Sequence, residues 1–201
     1  MIDFNLWKEV LTNPIETFKK EEKNADLGQG VIHIAIAGVI AGFIGGLATF
    51  TGLTAVGSMG GFGTGMMGAG IGIIAFIGAL IITPIVTVIG WLIFSGIIYI
   101  FAMIFGAKGD FTKQSYLIAL YGAPLMIITS ILNIIPFAGG ILSFLAGLYG
   151  LYLLTMALKQ VHKISTGKAV AIWLIPIVVF LVLAAILAGA AYMTILPLMT
   201  V

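Results

Sequence analysis

The sequence has no cysteine, no arginine and very little charge of either sign. Without cysteine, neither a disulfide framework nor a thiolate metal site can form. Without arginine, there is no bidentate fork for phosphate or carboxylate; all nine basic residues are lysines, which act as point charges. Charged residues make up only 8% of the chain, where soluble domains carry about 25%. A formal net charge of +2 is too small for a nucleic-acid binder, so no nucleic-acid partner is expected. The scarcity of charge is also uneven. Residues 27–107, 114–158 and 169–201 contain no Asp, Glu, Lys or Arg. That removes the intramembrane carboxylate, the usual proton relay of transporters.

What remains is 61% hydrophobic, more apolar surface than a chain of 201 residues can bury in one soluble core. Lipid is the solvent that suits such a composition. The expected fold is all-α: an integral membrane bundle of five transmembrane helices, preceded by a short amphipathic N-terminal helical segment. Residues 1–30 form that segment, on the cytoplasmic side, and residues 31–201 form the five-span domain. The spans are expected at about 31–53, 71–105, 116–133, 139–158 and 169–196. The first apolar run is too long for the core of a signal peptide and reads as the first span. The run at 71–105 would reach about 52 Å as one straight helix, against a hydrocarbon core of about 30 Å. Pro84 lies within it, so it is either one kinked, tilted helix or two short segments meeting at Thr83-Pro84.

The lysines fix the count. With five spans, Lys8, Lys19, Lys20 and Lys23 fall before the first, Lys108 and Lys113 between the second and third, and Lys159, Lys163 and Lys168 between the fourth and fifth. All nine then share one side, which the positive-inside rule makes cytoplasmic, with the C-terminus outside. Splitting 71–105 into two full spans would set the last five against the first four.

In the polar start, Leu6, Trp7, Val10 and Leu11 recur at helical spacing, and Ile15 and Phe18 continue the stripe past Asn13-Pro14. There Asn13 is expected to cap, with Pro14 opening a second helix. This lysine-bearing stripe is expected to lie in the membrane interface. Gly38, Gly42 and Gly46 leave one face of the first span bare, and Ala185 with Gly189 do the same on the last. Both are expected as helix-packing positions. Residues 57–70, GSMGGFGTGMMGAG, read as a flexible loop; no strand or Lys-Ser/Thr pair makes them a phosphate loop.

Chemistry-bearing residues are few. His33 sits near the edge of the first span and reads as an interfacial side chain. Asp110 lies in a short loop beside Lys108 and Lys113, and His162 lies between Lys159 and Lys163; nothing pairs them into an acid–base set. Ser165 reads as the cap of the last helix. Ser95, Thr87, Thr129, Ser130, Ser143 and Thr155 are expected to bond to their own helix or a neighbour. The tyrosines read in part as interfacial anchors. No catalytic, cofactor-binding or metal-ligating residue is identified.

Three stretches carry a resemblance: FTKQSYLIALYGAP at 111–124, NIIPFAGG at 133–140 and LYGLYLLTMALKQVHKISTGKA at 148–169. The telling positions are Tyr121 with Pro124, the Ile135-Pro136 turn with Gly139, and Val161-His162-Lys163-Ile164-Ser165 ahead of Lys168-Ala169. In these the chain resembles the membrane domain of the Yip family, the Ypt/Rab-GTPase-interacting proteins, in its prokaryotic form. Asn13-Pro14 with Phe18 matches more weakly, and residues 31–105 match only in hydropathy. The resemblance implies five spans and a cytoplasmic N-terminus. Eukaryotic members act in vesicle traffic and bind prenylated small GTPases; here the region ahead of the spans is short.

The functional expectation is a non-enzymatic membrane scaffold or adaptor, needing no cofactor, that binds a partner at its cytoplasmic face or shapes the bilayer. Trp7, Phe18 and His162 are the candidate partner contacts. Membrane lipid, a protein partner and a second copy of the chain are the expected company. The alternative is a small transporter or channel, for which the Gly- and Pro-interrupted helices speak and the lack of intramembrane charge does not.

Overall fold

A computed structural model describes residues 3–50 and 69–199. The glycine-rich loop expected at 57–70 lies outside the described residues, apart from its last two. All regular structure among them is helical. Two short helices, α1 (Phe4–Thr12) and α2 (Pro14–Glu21), run through a single 3₁₀ turn (Glu22–Asn24) into five long ones: α3 (Leu27–Phe50), α4 (Ala69–Ile104), α5 (Phe111–Leu132), α6 (Ala138–His162) and α7 (Thr166–Met199). Each of the five is long and apolar enough to cross a membrane. The chain is a multi-pass membrane protein.

Several helices begin or end about a turn outside the apolar runs, because the boundaries are set by capping chemistry rather than hydropathy. Asp26 Oδ1 accepts from Gln29 N at 2.8 Å to open α3, and Asp110 Oδ1 from Lys113 N at 2.9 Å to open α5. Ser165 Oγ accepts from Lys168 N at 3.4 Å at the start of α7, as expected of it. Lys163, in the left-handed conformation (φ 53°), closes α6. Asn13 stands at the start of α2, but its side chain does not cap. Its Nδ2 donates to Glu16 Oε2 at 2.6 Å instead.

The run containing Pro84 is one helix, not two segments: α4 continues through it without a break. What accommodates the proline is the bare face of α3. A Cβ on Gly38 would sit 2.7 Å from Pro84 Cα, one on Gly42 2.6 Å from the Ala79 carbonyl oxygen, and one on Gly46 2.9 Å from the Phe76 ring. The three glycines thus form the seam between α3 and α4, where backbones approach too closely for a side chain. The corresponding expectation for α7 does not hold. Ala185 is exposed, and nothing lies within 4 Å of a Cβ on Gly189. That helix meets α4 and α6 through its first turns, where Ala169 and Ile172 are buried, and its later part faces away from the bundle.

At the core of the bundle stands α5, with every residue from Gln114 to Tyr121 buried. Around it lie α3, α4 and α6. The described part of the N-terminal segment, residues 3–30, joins the same core: Trp7, Val10 and Phe18 are buried, with α1 against α5 and α2 against α6. The greater part of the apolar stripe of α1 and α2 is therefore turned onto protein, while Phe4 and Ile15 stay exposed.

Candidate functional site

The lysine-bearing end of the bundle is where polar side chains collect. Three linked arrangements build it.

The first seats α1. Trp7 Nε1 donates to His33 Nδ1 at 2.8 Å, and the His33 ring in turn lies edge-on to Tyr116 at 6.1 Å. His33 is buried, so it is a docking point for Trp7 and not the interfacial side chain expected. A ring nitrogen that accepts must be unprotonated, which places the proton of neutral His33 on Nε2.

The second joins α4, α5 and α6. Gly109 N donates to His162 Nδ1 at 3.0 Å. Nδ1 being the acceptor, Nε2 carries the proton and donates to Gln114 Oε1 at 2.8 Å. Gln114 Nε2 then donates to the Ser95 carbonyl at 2.9 Å, and Trp91 Nε1 donates to the Ser115 carbonyl at 3.1 Å. The Tyr99 ring lies edge-on to Phe111 and tilted against His162. Every donor in this relay has one acceptor, as buried polar groups require. The Ser95 and Ser115 hydroxyls stand outside it, without a partner among the described residues. Thr87, Thr129, Ser130 and Thr155 bond back to their own helices, and Thr155 also accepts from Trp173 of α7 at 3.0 Å.

The third clamps the N-terminal helices down. Glu22 Oε2 accepts from Gln160 Nε2 at 2.6 Å and Lys163 Nζ at 3.1 Å, while Oε1 lies 3.7 Å from Lys113 Nζ. Burial raises the Glu22 pKa, but the hydrogen bonds from Gln160 and Lys163 and the charges of Lys163 and Lys113 outweigh it. The carboxyl is held below its ordinary value. Beside it, Glu21 Oε2 accepts from the Tyr116 hydroxyl at 3.2 Å, and further along the Tyr149 hydroxyl donates to the Leu11 carbonyl at 2.5 Å.

Trp7, Phe18 and His162, the candidate partner contacts, are each no more than 5% exposed. None is free to meet a partner in this conformation. An aromatic or imidazole ring on an amphipathic stripe reads equally as a recognition residue or as a core residue until its neighbours are known. Here those neighbours are His33, Tyr121 and Gln114. Of the side chains that bind this end together, Glu22, Gln114 and Gln160 carry no signal of it in the sequence, and Tyr116 reads there only as an interfacial anchor. In Glu21-Glu22 between Lys20 and Lys23 the only signal is an ordinary solvated charge run.

Among the described residues no three His, Asp or Glu side chains are grouped to hold a metal ion. The architecture is one of mutual clamping, with N-terminal helices, spans and turns forming one body. A family described as the Yip1 domain matches residues 8–188, which takes in most of α1, all of α2 and every long helix at least in part. The chain belongs to the Yip1 domain family. No curated protein and no solved structure matches it. The Yip1 match crosses residue 30 without interruption, in keeping with α1 and α2 being built into the bundle.

Proposed function

We propose that this Yip1 domain protein is a non-enzymatic membrane adaptor. Its lysine-bearing end faces the cytoplasm and presents the outer surface of the docked N-terminal helices to a protein partner. The observation that carries the reading is the three-way clamp on Glu22. It spends a half-buried carboxylate, two lysines and a glutamine on holding a surface in place, with no reacting group beside it. Preorganising a surface is what a binding function rewards, since ordering on contact lowers affinity. On that surface Phe4 and Ile15 are large, apolar and more than half exposed. They take the place of the buried Trp7, Phe18 and His162 as partner contacts. Both Pro84 and Pro124 lie inside unbroken helices, so neither opens the backbone in the way a transporter's discontinuous helix does.

The test is photo-crosslinking from single positions in native membranes. A crosslinker at Phe4 or Ile15 should give a discrete protein adduct, and one at Phe180 on the outer length of α7 only lipid adducts. The purified protein in liposomes should show no saturable solute uptake and no ion current. Saturable transport, lost on altering residues around Pro84 or Pro124, would replace the adaptor reading with that of a carrier.

A further inference from the structure

Beyond the partner surface lies a second feature that the adaptor reading does not use. A groove of about 540 Å³ opens between the α4–α5 loop and the α6–α7 turn. Lys108, Lys163 and Lys168 line it together with Ser165, and no carboxylate is among its lining residues. Three lysines lining one groove concentrate positive charge there, which an acidic neighbour would relieve. Only Lys163 has one: Glu22, at 3.1 Å, which does not itself line the groove. Lys108 and Lys168 have no ion pair among the described residues. Lys163 is moreover held in the left-handed backbone region, where glycine or asparagine would sit without strain. Ser165 Oγ accepts from Lys168 N, which leaves its hydroxyl hydrogen free to donate.

We infer that this groove binds a phosphate-bearing anion, with Lys108 and Lys168 supplying charge, Lys163 shared between the anion and Glu22, and Ser165 donating a hydrogen bond. Its height in the molecule points to a lipid headgroup as the source. Trp173 and the exposed, apolar Leu174 and Ile175 follow Lys168 within about 11 Å along α7, at 1.5 Å per residue. The change from Lys168 to exposed apolar side chains over so short a length of helix is that of a span leaving the headgroup level.

The experiment titrates full-length protein in detergent with phosphatidic acid or phosphatidylcholine and counts retained lipids by native mass spectrometry. One phosphatidic acid per chain should be retained in preference to phosphatidylcholine. The double variant Lys108→Gln/Lys168→Gln should lose that preference by about tenfold. Lys8→Gln/Lys19→Gln removes equal charge elsewhere and should keep it. Equal retention of the two lipids, or equal loss in both double variants, overturns the site in favour of general attraction to an anionic surface. A separate arm follows thermal stability in phosphatidylcholine micelles with inorganic phosphate added. No shift at millimolar phosphate assigns the site to a lipid. A shift that Lys108→Gln/Lys168→Gln abolishes supports the phosphate site and overturns its assignment to a lipid. The result is independent of whether Phe4 and Ile15 crosslink to a protein.

Discussion

Glu22 reaches α6 through Gln160 and Lys163 and α5 through Lys113, so one side chain holds three parts of the structure together. Its carboxyl titrates below the ordinary value of 4.5. A carboxylate whose pKa is lower folded than unfolded stabilises the fold above the unfolded pKa, and the contribution is lost as pH falls through the folded one. Thermal unfolding in detergent should therefore show a stability decrease below about pH 4.5 that is smaller in Glu22→Gln. At neutral pH that variant should cost on the order of 1 kcal/mol, because a glutamine oxygen still accepts from Gln160 but no longer attracts the lysines. An equal acid response in both proteins would show that Glu22 is not the titrating group. Gly109 is the second position where one atom decides. Any Cβ there would collide with Nδ1 of His162, so Gly109→Ala should displace the imidazole and break the relay to Gln114. A loss of about 1–3 kcal/mol is expected, read as a lowered melting temperature.

At the scale of the helix, the glycine face of α3 and the small-residue face of α7 look alike in the sequence and behave differently in the molecule. Gly42→Leu should destabilise the bundle by about 1–3 kcal/mol, since even its Cβ meets the Ala79 carbonyl oxygen at 2.6 Å. Gly189→Ala should leave the melting temperature unchanged or slightly raised, there being nothing near it and alanine favouring helix. Spacing tells that a neighbour can approach; whether one does depends on the crossing of α7 away from the bundle. The helical class and number of long helices were legible because stretches free of charge leave lipid as the only suitable solvent. The exact ends of α3 and α5 were not, because Asp26 and Asp110 stand outside the apolar runs and read as loop charges. The N-terminal helices were legible as helices, yet their seat was not. The partners of Trp7 and Phe18 are His33 and Tyr121, and nothing local to residues 7 or 18 announces them. Removing residues 1–24 should consequently unseat more than a surface. Burying Trp7, Val10 and Phe18 contributes on the order of 5 kcal/mol, so the truncated protein should melt earlier or aggregate on extraction. A truncation that melts like the full chain would show that α1 and α2 are dispensable to the core.

For the molecule as a whole, the sidedness of the lysines sets the orientation to be tested. Reporter fusions after residues 110 and 165 should read as cytoplasmic and one after Val201 as external; a cytoplasmic C-terminus would contradict five crossings. Tyr116 bonds to Glu21 across 95 residues of chain, and Tyr149 and Gln160 bond to Leu11 and Glu22 across 138. At about 5–20 residues per second, a ribosome needs about 7–28 s to make the 138 residues between Leu11 and Tyr149. Through that interval α2 has no α6 to dock on and the α5 seat of α1 is made only towards its end, while α3 and α4 can already meet along their seam. The first helices synthesised are thus among the last to be seated. Arrested nascent chains ending near residue 132 should leave residues 4–24 open to protease, and chains carrying α6 should protect them.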